Sequence, residues 1–447
     1  MIALPRLSLA SAVLGVLVGC STEVPTAGLP HEPDSGTLAV RCGRLIDGLS
    51  DEAIDNAIVL IKNGRIAAVG VDVAVPSGIP VIDFSDYTVL PGLIEMHAHV
   101  MEGFFAVNDL STFHGIRRED QLEEGRGYAT VTLMAGFTSV RNVGAYQGFL
   151  ARELRDEINE GRAIGPRMQV AGYYLTIPAG GGDLVVPGIP EETIPPELRM
   201  GVSRGPEEFR RKAQAAIDGG ADLLKVIASG AVLAYGGVPG EPEMTPEEIR
   251  AVAEVAHAAG LKLAAHAHST RSIKEAILAG ADTIEHASLI DEEGVRLARE
   301  HDVALSMDIY NGDYIDTEGR RQGWPQEFLD KNLALVEAQR KGFEMAYRHG
   351  APIVYGTDTG VYPHADGAKQ FRIMVERGMK PMDAIHAATS LSARYMGWSD
   401  RVGAVQQGRF GDLIAVRGDP LENITVLEDV QAVIKGGLIF KRPGESR

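Results

Sequence analysis

Apolar positions along the chain fall into three zones. Leu38 to Arg41, Ala57 to Lys62 and Arg65 to Val69 are short apolar runs separated by Gly, Asp and Asn, the texture of a meander of β-strands. The same texture returns at the far end, at Asp412 to Val416, Val430 to Ile434 and Leu438 to Lys441. Between them, strand-like runs alternate with helix-period segments such as Glu247 to Ala259 and Ser272 to Ala279. Eight candidate strands end at Glu95-Met96, Val140-Arg141, Val170-Ala171, Lys225-Val226, Ala265-His266, Ile284-Glu285, Leu305-Ser306 and Tyr355-Gly356. Eight strands alternating with helices over roughly 300 residues predict an α/β protein built on a (β/α)8 TIM barrel. The barrel would span 91–397, inserted in a small β-sandwich formed by 37–90 and 398–447. Its active site would lie at the C-terminal ends of the strands.

Residues 1–36 stand apart from this pattern. A basic start from Met1 to Arg6, an apolar run from Leu7 to Val18 and the sequence Leu17-Val18-Gly19-Cys20 predict a lipoprotein-type signal peptide over 1–20, cleaved before Cys20. An ordinary secretory signal cleaved nearby is the alternative. Residues 21–36, rich in Pro, Thr and Gly, read as a flexible tether. On this reading the protein is exported, as a periplasmic or outer-membrane lipoprotein that meets a membrane only through a lipid on Cys20. Cys42 is then a lone thiol, and two cysteines exclude a disulfide framework or a cysteine-based metal site. A net charge of -18 argues against nucleic acid as a partner, since phosphate binding needs a basic face. An anionic small substrate stays open, because a pocket can be locally positive.

The candidate chemistry sits where the strands end. His97 and His99 are i and i+2 on the first strand, so both imidazoles face the same side and could bind one metal. A surface pair is the bland alternative. Lys225 ends a strand, where an unpaired ammonium is costly to bury. It either reaches solvent, pairs with an acid or carries a carbamate. His266 and His268 close the next strand and His286 the one after, where Glu285 is expected to point away and be structural. Asp358 follows the last strand, as a helix cap or as a metal-bound carboxylate that accepts a water proton.

Assembled, these residues carry a resemblance. Leu90-Pro91-Gly92-Leu93-Ile94-Glu95-Met96-His97-Ala98-His99, Gly136-Phe137-Thr138-Ser139-Val140-Arg141, Gly220-Ala221-Asp222-Leu223-Leu224-Lys225, Ala265-His266-Ala267-His268, Ile284-Glu285-His286 and Gly356-Thr357-Asp358 together resemble the amidohydrolase superfamily. The likeness runs from about residue 38 to the end. It implies two divalent metal ions, usually Zn2+: His97 and His99 with Asp358 on the more buried ion, carbamylated Lys225 bridging, and His266 and His286 on the outer ion. The chain is most similar to the imidazolonepropionase-related branch of dipeptidases, which includes ochratoxin A hydrolases. Lys225 separates it from imidazolonepropionase itself, whose single-metal site lacks the bridging lysine. Relatives often carry Gly-Gly-His-Gly-Asp after the third strand. Here Gly181 occupies the histidine position, which predicts a lost polar contact and extra space.

The resemblance implies hydrolysis of an amide bond in N-acyl amino acids or dipeptides, ochratoxin A among them, by hydroxide held between the metals, with Asp358 as base and then acid. His268 would steady the carbonyl oxygen or a substrate carboxylate, or instead orient His266. Arg271, Tyr235 and His364 are further candidates for substrate contact, each after a proposed strand. The insertions Tyr173 to Met200 and Asp308 to Trp324 are long enough for a pocket wall or lid. Homo-oligomers, octamers included, are expected by the same analogy. The competing readings are a lactam or lactone hydrolase using the same metals, and a catalytically dead lipid-anchored binding protein.

Overall fold

The computed structural model describes residues 36–107 and 109–444, so the expected signal peptide, Cys20 and nearly all of the expected tether lie outside the described residues. The two chain ends share one sheet. Its strands are β1 (Leu38–Leu45), β2 (Ile54–Asp55), β3 (Ile58–Lys62), β4 (Arg65–Gly70) and β5 (Val81–Pro91) from the first zone. The middle of the chain contributes β6 (Leu93–Ala98), β7 (Phe137–Asn142), β8 (Arg167–Val170), β9 (Leu223–Ile227), β10 (Lys262–Ala267), β11 (Thr283–His286), β12 (Ala304–Ser306) and β13 (Ile353–Val354). The last zone supplies β14 (Leu413–Val416), β15 (Val430–Lys435) and β16 (Leu438–Lys441).

The terminal sheet runs β16-β15-β14-β5-β1-β3-β4, with β2 on β1. β5 joins the two ends: it pairs parallel to β1 and antiparallel to β14. Alternate residues of these strands, among them Val40, Val59, Ile61, Phe84, Leu413 and Ile434, bury one apolar cluster. Cys42 lies inside it, and burial pushes its thiol up to about 12, so it is an unreactive core residue.

The eight middle strands are all parallel and form two arcs, β6-β7-β8 and β13-β12-β11-β10-β9. Single bridges join the arcs. Leu175 pairs with Val226 at one seam, and Ala98 with Thr359 at the other. At the second seam His99 N donates to Thr359 O at 2.8 Å and Asp358 N to His97 O at 2.7 Å. Gly356 lets this seam close, since a Cβ there would lie 3.0 Å from His97 Cβ across it.

Helices pack outside the strands as their 3.6-residue period requires. Pro246–Ala258 starts on a capping box, in which Thr245 Oγ1 accepts from Glu248 N and the Glu248 carboxylate accepts from Thr245 N. Ser269 caps Thr270–Ala279 directly after His268. The first predicted insertion contains only short 3-10 turns, whereas the second carries an unbroken helical stretch whose centre, Ile315–Gly319, is a π-helix. They fold over the strand ends in a separate apolar cluster that includes Phe104, Tyr174, Leu184, Ile315, Trp324 and Phe328.

Candidate metal centre

His97, on β6, and His99, one residue past it, point to the same side as the two-residue period requires. Their Nε2 atoms lie 3.4 and 3.2 Å from Asp358 Oδ1. His266, His268 and His286 gather beside them, with ring centroids 4.5 to 4.6 Å apart. The ring of His97 is 4.8 Å from that of His286. Two groups of potential donor atoms result, His97 with His286 and Asp358, and His266 with His268 and His286. Lys225 lines the same cavity.

Three of the residues at this rim have left-handed backbone: His286 (φ 70), Ala287 (φ 49) and Asp358 (φ 61). Strain of this kind collects at functional sites, where surrounding structure holds it in place. At His286 it corrects the expectation for Glu285. Thr283 and Glu285 both face the barrel interior, and the chain then turns, so that His286 reaches the cavity as well. Glu285 lies below the histidines. Its Oε2 is 3.1 Å from His97 Nδ1, and its Oε1 accepts from Arg141 Nη2 at 2.7 Å.

Other partners hold the remaining rings. Asp308 Oδ1 is 3.0 Å from His286 Nδ1 and accepts from Gln339 Nε2 at 2.7 Å. His268 Nδ1 is 2.8 Å from Ser288 Oγ, and His99 Nδ1 is 2.8 Å from the Tyr174 hydroxyl, which donates to Glu102. Engaging Nδ1 leaves Nε2 of these three rings for a metal, the usual division of labour in histidine ligands, whereas His266 has its Nε2 3.4 Å from Gly230 O. Asn311 Nδ2 donates to Asp358 Oδ2 at 2.8 Å and to Asp308 Oδ2 at 3.1 Å, so one amide steadies both carboxylates. Asn311→Ala is expected to lower kcat roughly 10- to 100-fold while metal content and KM stay near wild type. An unchanged kcat would show that Asp358 needs no such support.

Burial holds His97 down to about 4, and Lys225 reinforces it. Burial and the neighbouring histidines push His266 and His268 well below the usual range. These rings are neutral near pH 7, as metal ligation requires. His99 differs. Burial opposes its charge, but Asp358 and Glu102 override that and raise it to about 9, so a metal would have to displace its proton. Lys225 is lowered to about 8, chiefly by burial and further by Arg141, against the pull of Glu285. Its Nζ is buried without a hydrogen-bond partner. A buried amine without a partner is costly, and a carbamate on Nζ would relieve that cost. Five imidazoles, two carboxylates (Asp308 and Asp358) and this amine around one cavity fit divalent metals that take nitrogen and oxygen ligands.

The cavity opens to solvent and offers about 100 Å3 to water-sized molecules. Its walls are largely apolar, and among its lining residues Lys225 is the one lysine or arginine. Gly181 lines it, but not as expected. A Cβ there would lie 2.8 Å from Ala231 Cβ and 3.0 Å from Ala231 N, so the glycine permits a close loop approach instead of leaving space. Arg271 stands on the outer helix and pairs with Glu275 at 2.7 Å. The Tyr235 ring packs 4.9 Å from that of Phe328, and His364 is buried against Tyr128, at 4.9 Å. None of these three lines the cavity. Sequence reasoning missed Glu102, Arg141, Tyr174, Asp308, Asn311 and Gln339. Of these, Arg141 offered a signal, as a charged residue ending an apolar strand.

Residues 88–439 match the amidohydrolase family. The ochratoxinase of Aspergillus niger is 30% identical over 429 residues, 91% of this chain and 87% of that protein. The crystal structure of a Xaa-Pro dipeptidase with methionine bound in its active site superposes with a TM-score of 0.84 at 34% identity, over 91% of this chain and all of that one. A prolidase complexed with N-methylphosphonate-L-proline reaches a TM-score of 0.84 at 27% identity, over 91% of this chain and 100% of its own.

Proposed function

The chain belongs to the amidohydrolase family, and from that premise we propose that it is a binuclear metal-dependent hydrolase of the amide bond in N-acyl amino acids or dipeptides, ochratoxin A included. One observation carries this reading: His97, His99, Lys225, His266, His286 and Asp358 converge on a single apolar-walled cavity. The ochratoxinase and dipeptidase relatives support the substrate class.

On this reading His97, His99 and Asp358 would hold one ion, His266 and His286 would hold the other, and carbamylated Lys225 would supply a further carboxylate ligand. Bound there, a divalent pair such as Zn2+ supplies Lewis-acid polarisation of the amide carbonyl and an ionised water near neutral pH. Asp358, with Oδ2 tied to Asn311 and Oδ1 facing His97 and His99, accepts the proton of the attacking water and delivers it to the leaving nitrogen. His268, with Nδ1 engaged by Ser288, turns Nε2 to the cavity and can donate to the carbonyl oxygen or a substrate carboxylate.

Purified protein should contain close to two metal ions per chain, lose turnover on dialysis against a chelator and regain it with added Zn2+. A release assay over N-acyl amino acids, dipeptides, lactams and lactones should find its best substrates in the first two groups. Exclusive turnover of lactams or lactones would overturn the substrate class, and full activity in metal-free protein would overturn the mechanism.

A further inference from the structure

His97 and His286 each place Nδ1 directly against a carboxylate, Glu285 at 3.1 Å and Asp308 at 3.0 Å. His99 differs, because a tyrosine stands between it and its carboxylate. Its Nδ1 lies 2.8 Å from the Tyr174 hydroxyl, and Glu102 Oε2 is 3.5 Å away. The hydroxyl donates to that same oxygen at 3.0 Å, while Glu102 Oε1 accepts from Tyr146 N at 2.7 Å. The result is a chain from imidazole to phenol to a carboxylate that is itself anchored. All three side chains are buried, so water competes little for these bonds. The backbone fixes the phenol as well. Leu175 N donates to Lys225 O, and Leu175 O accepts from Ile227 N, both at 2.9 Å. Alternation at this seam sends Leu175 into the core and the preceding Tyr174 ring to the cavity wall. Two glycines admit that ring: a Cβ on Gly144 would lie 2.5 Å from its Cε1, and one on Gly182 2.9 Å from its Cβ.

We propose that Tyr174 is a positioning residue for the metal centre: with Glu102 it orients the His99 ring and fixes its tautomer, so that Nε2 faces the ion assigned to His97, His99 and Asp358. The inference rests on the metal-dependent reading and adds to it a residue that also forms the substrate wall. A phenol suits the task because its oxygen can accept from Nδ1–H while its own proton goes to the carboxylate. A ligating histidine whose other nitrogen is engaged in this way has one orientation and one tautomer before the metal arrives. Gly144 O, 3.3 Å from Nδ1, is the acceptor left if the hydroxyl is removed, so the loss should be graded instead of complete.

Tyr174→Phe keeps the ring in the wall and removes the hydroxyl. Competition against a fluorescent Zn2+ chelator should show one of the two ions held roughly 10- to 100-fold more weakly and the other held as in wild type. Glu102→Gln should weaken the same ion, and it carries the test alone if Tyr174→Phe fails to fold. The double variant should bind no more weakly than the worse single variant, because the two residues act as one chain. At saturating Zn2+ the KM of Tyr174→Phe should stay at its wild-type value. Wild-type affinity for both ions, or equal weakening of both, makes Tyr174 a wall residue and overturns the proposal. Additive losses overturn the connection through Glu102. The competition needs no turnover, so the expected shift in protein that cleaves no amide would support the positioning role and overturn the hydrolase reading, whereas unshifted affinity in an active amide hydrolase would do the reverse.

Discussion

Asp358→Asn is expected to leave a folded protein that still binds metal and has lost nearly all turnover. The amide keeps the shape of the carboxylate and one neutral oxygen facing the Nε2 atoms of His97 and His99, which now lie 3.4 and 3.2 Å from Asp358 Oδ1. It has no basic oxygen to take a proton from water. Losing a general base and acid costs roughly 10²- to 10⁴-fold in kcat, about 3–5 kcal/mol of barrier. A second effect runs the other way. Asp358 is one of two carboxylates that hold the His99 proton, so the substitution makes that proton easier to displace. Metal affinity should then fall less than the loss of an anionic ligand alone would cause. The measurement is kcat together with metal stoichiometry on the same preparation. Wild-type turnover at full metal content would remove Asp358 from the chemistry; loss of turnover only in step with loss of metal would make it a ligand and nothing more.

The barrel was legible because each of its strands is an apolar run that stops at a polar or small residue, and parallel strands buried on both faces leave that signature. The candidate ligands were legible for the same reason. A histidine, lysine or aspartate at such a stop has no packing role there, and examples at five of the eight strand ends are hard to read otherwise. Side-chain direction was less legible. Alternation placed Glu285 away from the cavity because it assumed that the strand ran on through His286, whereas the backbone turns there at φ 70. Arg271 and His364 follow strand ends in sequence, yet the Ser269 cap sends Arg271 outward along a helix, and packing against Tyr128 turns His364 away. Asp308 and Asn311 lie at the start of an insertion with no periodicity, so nothing local marks them. Gly181 shows the limit of comparing one position at a time. What matters there is its contact with Ala231, fifty residues on.

Lys225 is where sequence and structure depend most on each other, and its removal should have the second large effect. Carbamylation requires the neutral amine, whose nitrogen attacks CO2 with loss of a proton. With the amine lowered to about 8, chiefly by burial, more of it is neutral near pH 7 than of an ordinary lysine. Burial thus provides the reactive form, and the buried Nζ without a partner is the place the new carboxylate would occupy. Lys225→Ala is expected to lower metal content from about two ions per chain to one or fewer and to abolish most turnover, because the bridging anion is gone. The metal-free variant should be little destabilised through lost hydrogen bonds, since Nζ makes none. Formate, acetate or propionate should restore part of the metal and part of the activity by supplying a carboxylate in the vacated space. Two ions and full activity without added acid would exclude a bridging role. A large fall in thermal stability with unchanged metal content would instead make Lys225 a counter-charge for Glu285, whose carboxylate faces it below the histidines.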